Sequence, residues 1–275
     1  MTISWTQIEP GSVEVKMVVA DMDGTLLDER SQLPPGIDRF LAELKEKGIR
    51  FVPASGRQYY TLLQMFGDPD LAYIAENGGV VVAGGDRISL TTLGPGVYES
   101  TVELVRGLDP VRHAVVACGA RGAYVERSDE AFLQDTGKYY ARLNIVDDLL
   151  AVEDDIVKMA VYDAVDAHES AHLLDPLRAG NQVVVSGKEW IDVMDNKINK
   201  GVGVKLLQQS LGITPAQTLA FGDLFNDVEM LAAADYSFAM ANAHPEVIAG
   251  ANYLAPSNAE HGVITVTRAL AGLAG

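Results

Sequence analysis

Cysteine is almost absent from this 275-residue chain, with Cys118 standing alone. One thiol excludes an intrachain disulfide and a cysteine-rich metal cluster, and it fits a reducing compartment. Positive charge is also scarce. Lysine and arginine number 21 against 38 aspartates and glutamates, giving a formal charge of −17, and no basic block stands out. Such a surface repels a phosphodiester backbone, so nucleic acid is not expected as a partner. The same charge repels a small phosphate ester unless cations placed at a site override it. No apolar run has the length of a membrane span, so no membrane partner is expected. The opening "MTISWTQIEPGSVEVK" lacks the basic segment and apolar stretch of a secretory signal, which makes the cytosol the expected address. Internal repeats and low-complexity tracts are missing too, and nothing in the sequence bears on oligomeric state.

What is present is ordinary for a globular protein with a sizeable core: 48% apolar and 21% charged residues. Residues 1–13 read as a polar, mobile lead-in. "KMVVADM" then reads as a strand buried on both faces. In "PPGIDRFLAELKEKG", Ile37, Phe40, Leu41 and Leu44 recur at helical spacing between two prolines and Gly48. "IRFVPASG" is a second strand, "RQYYTLLQMFG" a second helix, and "AYIAENGGVVVAGG" a strand pair broken at Asn77-Gly78-Gly79. This alternation predicts an α/β fold, a doubly wound parallel sheet with helices on both faces.

The middle of the chain, 84–188, breaks the pattern with strands around a glycine turn and a strand-helix-strand unit. After it the alternation resumes, in "GVGVKLLQQSLGI", "TLAFGD", "NDVEMLAAA", "YSFAMANA" and "ITVTRALAGLAG". The expected organisation is a core of 1–83 and 189–275, with 84–188 inserted as a smaller α+β domain.

In a doubly wound sheet, ligands sit outside the carboxyl ends of the strands. "VVADMDGTLLDE" delivers Asp21 and Asp23 to such an end. Asp-Gly between apolar runs also signals a simple turn. A calcium loop does not fit, because Leu26 and Gln32 stand where an EF-hand needs glycine and glutamate. A carboxylate at a strand end can instead hold a hard cation such as Mg²⁺ or attack phosphorus, and a second one can serve as acid and base. Thr25 offers a hydroxyl.

In "SGR", Ser55 and the Gly56 amide can hold a phosphoryl oxygen, although a serine there equally suits a helix cap. In "FGDLFNDVEML", Asp223 reads as an N-cap or as a second cation ligand. Asp227, four residues on, would share its face of a helix. Lys200 is an unremarkable lysine by position, or a cation for phosphate charge.

One competing pattern is "HESAH", residues 168–172, which matches two zinc-binding histidines flanking a glutamate. The helix there is short, ends at Asp175-Pro176 and has no evident third ligand.

Taken together, these residues resemble the haloacid dehalogenase (HAD) superfamily, and within it the Cof-type, subfamily IIB sugar-phosphate phosphatases. The motifs are "VVADMDGTLLDE", "FVPASGR", the looser "DVMDNKINKG" and "FGDLFNDVEML", with "AENGG" and the tail "MANAHPEVIAGANYLAPSNAEHGV" in support. The resemblance covers essentially the whole chain. It implies a Rossmann-like core with an inserted cap that chooses the leaving group.

The resemblance also implies a Mg²⁺-dependent phosphatase acting on a small-molecule phosphate ester. Asp21 would be the nucleophile and a metal ligand, and Asp23 the acid and base, with its carbonyl on the metal. Thr25, Ser55, Gly56, Lys200 and Asn226 would bind phosphate, while Asp223 and Asp227 would complete the metal site. Phe225 departs from the pattern by its bulk. Arg57, Arg121, Tyr139, Tyr140 and Trp190 are candidate substrate contacts. The alternatives are a phosphomannomutase-like enzyme with the same nucleophile, a non-catalytic phosphosugar-binding protein, and the zinc metalloprotease.

Overall fold

In a computed structural model describing residues 3–273, the alternating ends of the chain close into one nine-stranded sheet. From edge to edge its strands are Ile3–Ser4, Tyr253–Ala255, Tyr236–Met240, Thr218–Gly222, Met17–Asp21, Arg50–Ala54, Ala72–Ala75, Val80–Ala83 and Asp86–Leu90. The first seven run parallel, and Val80–Ala83 turns back antiparallel. Met17–Asp21 and Thr218–Gly222 are buried along their whole length, which explains why they read as unbroken apolar runs rather than as alternation.

From Met17–Asp21 the chain winds outward to Arg50–Ala54 and Ala72–Ala75. It later returns on the other flank at Thr218–Gly222. Strand order therefore reverses between Met17–Asp21 and Thr218–Gly222, and the crevice at such a reversal is where this architecture binds ligands. Helix Ile37–Glu46 buries Ile37, Phe40 and Leu44 as its spacing predicts. The expected lead-in is only partly a lead-in, because Ile3–Ser4 pairs with Tyr253 and Leu254 as an edge strand; residues 1 and 2 lie outside the described residues.

The chain folds as two units. The first holds the chain up to Gly56, Asp68–Ser89 and the chain from Asn199; the second holds Arg57–Gly67 and Leu90–Ile198. Where 83/84 and 188/189 were expected, this division falls at 89/90 and 198/199, and it adds the segment Arg57–Gly67 to the second unit. Helix Tyr59–Phe66 joins the second unit because its side chains bond that unit's backbone: Thr61 Oγ1 to the Tyr139 carbonyl at 2.7 Å, and Gln58 to both N–H and C=O of Arg142. Strand Trp190–Asp195 joins it because it forms a hairpin with Asn181–Gly187 and pairs on its other edge with Ile156–Asp163.

The sheet of the second unit runs Asn181–Gly187, Trp190–Asp195, Ile156–Asp163, His113–Gly119, Ala123–Val125 and Leu143–Ile145. Side chains alternate across it. Val115, Ala117, Met159 and Val161 face one apolar cluster with Val102 and Val105 of helix Val97–Arg106. Ala114, Val116, Cys118, Ala160 and Tyr162 face the other, with Phe132, Tyr140 and Trp190. Tyr140 and Trp190 are therefore core residues of this unit. Arg121 pairs with Asp154, and Arg57 lies over the Tyr139 ring.

The "HESAH" segment does not form the long helix face that a zinc site needs. One α-turn, Ala167–Ser170, gives way to a tighter 3₁₀ stretch, Ala171–Arg178, whose three-residue period no longer stacks positions four apart. His168 bonds Asp166, and Glu169 pairs with Arg112. Among the described residues no helix is long and apolar enough to cross a membrane.

Candidate active site

Three strand ends and one helix start converge in the first unit. Asp21 is the last residue of its strand, Ser55 follows Arg50–Ala54, Asp223 follows Thr218–Gly222, and Lys200 begins helix Lys200–Leu211. All four are buried. Beyond Asp21 the chain makes a wide turn, closed by the Leu27 N–H on the Met22 carbonyl at 2.8 Å. Gly24 in that turn has φ +81°, and a Cβ there would run into the Asp223 carboxylate. Glycine is thus required twice over, for the backbone angle and for the approach of the second strand end.

The helix start is fixed by Asn199, whose side chain accepts the Val202 N–H at 2.9 Å. This cap sets the direction of Lys200. Its ammonium is fully buried and donates to Asp21 Oδ1 at 2.5 Å and to Asp227 Oδ1 at 2.7 Å. Asp227 holds the neighbouring loop with its other oxygen, accepting the Asp223 N–H at 2.9 Å and the Leu224 N–H at 3.2 Å. The expected shared helix face of Asp223 and Asp227 is instead a reverse turn, Phe225–Asp227, closed by Asp227 itself.

Thr25, expected at phosphate, donates its hydroxyl to Asp223 Oδ1 at 3.1 Å and so orients that carboxylate. Asn226 donates to Asn77 Oδ1 at 3.2 Å. Asp23, expected as the acid and base, is exposed. Sequence reasoning gave no role to Asn242, which anchors the Asp21–Gly24 turn by donating to the Gly24 carbonyl at 2.7 Å. Its only signal was membership of the tail motif.

The carboxylates of Asp21, Asp223 and Asp227 each offer an oxygen, and these oxygens lie within 4.8 Å of one another. Three buried carboxylates sharing one ammonium leave a surplus of negative charge. Burial, then the charge of Asp227, push the Asp21 carboxyl well above its usual range despite the pull of Lys200. The same two causes raise Asp223 to about 6. Burial works against the Lys200 ammonium, but Asp21 and Asp227 outweigh it and hold its pKa above the ordinary lysine value.

The donor set fits a hard divalent cation: all oxygen, anionic, buried and short of positive charge. Asp21 and Asp223 are the residues that would hold it first, since Lys200 and two backbone N–H groups already occupy Asp227. Among the described residues this is the one group of three or more acidic, histidine or cysteine side chains so gathered.

The model of the haloacid dehalogenase-like hydrolase family matches residues 18–266. The chain belongs to the haloacid dehalogenase-like hydrolases. Within that family it is a phosphoric monoester hydrolase, and several of its relatives are named phosphatases. It is 34% identical to the 5-amino-6-(5-phospho-D-ribitylamino)uracil phosphatase YbjI of Escherichia coli, over 92% of this chain and 95% of that one. It is 28% identical to the HMP-PP phosphatase of Cronobacter sakazakii, over 83% and 85%. Among solved structures, SMU.1108c of Streptococcus mutans superposes with a TM-score of 0.81 at 28% identity, covering 94% of this chain and 99% of that one. A haloacid dehalogenase-like hydrolase of Bacteroides thetaiotaomicron shares the fold, with a TM-score of 0.82 at 23% identity and coverage of 92% and 99%.

Proposed function

We propose that this haloacid dehalogenase-like hydrolase is a Mg²⁺-dependent phosphatase of small phosphate monoesters, sugar phosphates and their relatives, working through an aspartyl-phosphate on Asp21. The observation that carries the reading is the buried group of Asp21, Asp223 and Asp227 around the Lys200 ammonium at the sheet's switch point.

Asp21 Oδ attacks phosphorus as the bond to the ester oxygen breaks, and Asp23 gives its proton to the departing alkoxide. Asp23, now a carboxylate, takes a proton from water. The resulting hydroxide attacks the phosphoryl group, breaking its bond to Asp21 and releasing inorganic phosphate. Lys200, Ser55 and the Gly56 amide hold the equatorial oxygens, where charge accumulates. When bound, Mg²⁺ neutralises that charge and keeps the Asp21 carboxylate ionised. Asp223 is oriented for this by Thr25, and Asp227 by Lys200.

Selection among esters is assigned to the second unit. The named substrate of the E. coli relative makes a ribityl phosphate attached to a pyrimidine the first candidate to try.

The test is phosphate release from a panel of phosphorylated metabolites with Mg²⁺, with EDTA added and then excess Mg²⁺ restored. A turning-over sample is then quenched and reduced with borohydride, which converts an aspartyl-phosphate to homoserine. Homoserine at position 21 is the expected product. Turnover that survives chelation, or homoserine at another aspartate, would overturn the reading.

A further inference from the structure

Glu76, Asn77 and Gly78 follow one another at φ +48°, +56° and +102°. Left-handed backbone is rare outside glycine, and a consecutive run of it persists only where the surroundings fix it. Here the surroundings are the segments that carry the phosphate-binding residues. The Asn77 N–H donates to the Ser55 carbonyl at 2.9 Å. Its side chain lies against Gly56, where an added Cβ would come within 3.1 Å of Asn77 Nδ2. Asn77 Oδ1 accepts from Asn226 at 3.2 Å. Gly78 packs onto the carbonyl of Asn199, the residue that caps Lys200, and a Cβ on Gly78 would collide with it. One turn therefore abuts Ser55-Gly56, Asn199-Lys200 and Asn226.

We infer that Asn77 is a positioning residue for the phosphoryl group: it orients the Asn226 amide and sets the Ser55-Gly56 backbone beside it. This rests on the phosphatase reading and deepens it. The residue type follows from the demands of the place. Asparagine tolerates the left-handed region and offers a neutral acceptor. Glycine would satisfy the backbone without the acceptor. Aspartate would supply the acceptor but add a negative charge next to an anion site. With one of its N–H groups held by Asn77, Asn226 keeps a fixed amide plane and a second N–H to donate.

The experiment uses Asn77→Gly, which keeps the turn and deletes the bridge, in the full chain and in an Asn226→Ala background. The readouts are KM for a turned-over ester, the affinity for inorganic phosphate with Mg²⁺ present, the Mg²⁺ concentration at half-maximal rate, and the melting temperature. In the wild-type background, Asn77→Gly is expected to raise KM and weaken phosphate binding about threefold to tenfold, the size of one neutral hydrogen bond. Half-saturating Mg²⁺ and melting temperature should stay put. In the Asn226→Ala background, Asn77→Gly should add nothing, because the pair acts as one unit.

An unchanged phosphate affinity, or an equal loss in both backgrounds, overturns the inference. A loss that comes with weakened metal dependence and a lowered melting temperature marks Asn77 as merely structural and also overturns it. A wild-type protein that neither binds phosphate nor hydrolyses any ester fails at the earlier step and removes the phosphatase reading together with this one.

Discussion

Asp21 and Asp163 occupy the same kind of position. Each is the last residue of a strand, each is buried, and each faces a cation. Their surroundings differ in arithmetic. Arg112 gives Asp163 two bonds at 2.8 Å, and Ser170 and the Val165 N–H add two more. Burial works to raise the Asp163 carboxyl, but these bonds outweigh it and hold the group well below the usual carboxylate range. Asp21 has half a share in one ammonium and two carboxylates for neighbours, and its carboxyl is pushed the other way. A buried carboxylate alone therefore does not mark an active site. An unbalanced one is the better candidate, because surplus negative charge is what a divalent cation would relieve.

Removing each carboxylate's function tests this contrast most directly. D21N should cut phosphate release by on the order of 10⁴-fold or more, as loss of a nucleophile does elsewhere. Without metal, the same substitution should leave the melting temperature unchanged or raised, since it relieves like-charge repulsion. A D21N protein that is both active and unstable would reverse the assignment.

In the second unit the expectation is opposite. Arg112→Ala leaves the buried Asp163 without its guanidinium partner and should lower the denaturant midpoint of unfolding at pH 7. The sign with pH follows from the depressed carboxyl. Its contribution is full above the unfolded value of about 3.9 and drains away as pH falls through the acid range. Wild type should therefore lose this stabilisation on acidification, and the gap to Arg112→Ala should narrow. A gap that widens at low pH would contradict the ion-pair account.

Mg²⁺ should stabilise the metal-free protein by about 2.7 kcal/mol at a hundredfold excess over its dissociation constant. Thermal melts should show this for wild type and much less for Asp223→Asn; an equal response would place the ion elsewhere. At the small end, His168→Ala should move stability by less than about 0.5 kcal/mol, as an exposed substitution does, with phosphate release unaltered. A zinc content that fell with this variant would revive the histidine pattern.

Much of the core was legible because its signals are local. Asp21, Ser55 and Asp223 stand where apolar runs end, and a parallel sheet gathers strand ends on one edge. Lys200 could be placed by the helix that starts with it. The unread parts are those set by bonds between distant positions. Thr25 was assigned to phosphate because nothing near it in sequence announces Asp223 as its partner. Helix Tyr59–Phe66 has an ordinary amphipathic pattern, and only its bonds to Tyr139 and Arg142, some 80 positions on, fix its membership. Trp190–Asp195 reads as a strand, but periodicity does not say which sheet it joins. Asn77 sat in a recognised string, yet its left-handed backbone and its link to Asn226 leave no trace in composition.

Asp227 accepts on both flanks, from an ammonium with one oxygen and from two main-chain amides with the other. An asparagine of the same shape has a single acceptor and must aim its amino group at one flank or the other. It would confront either the lysine or the Asp223 loop with hydrogens facing hydrogens. Position 227 is thus closed to the mildest isostere available, for reasons of hydrogen-bond symmetry that would apply even if no ion ever bound.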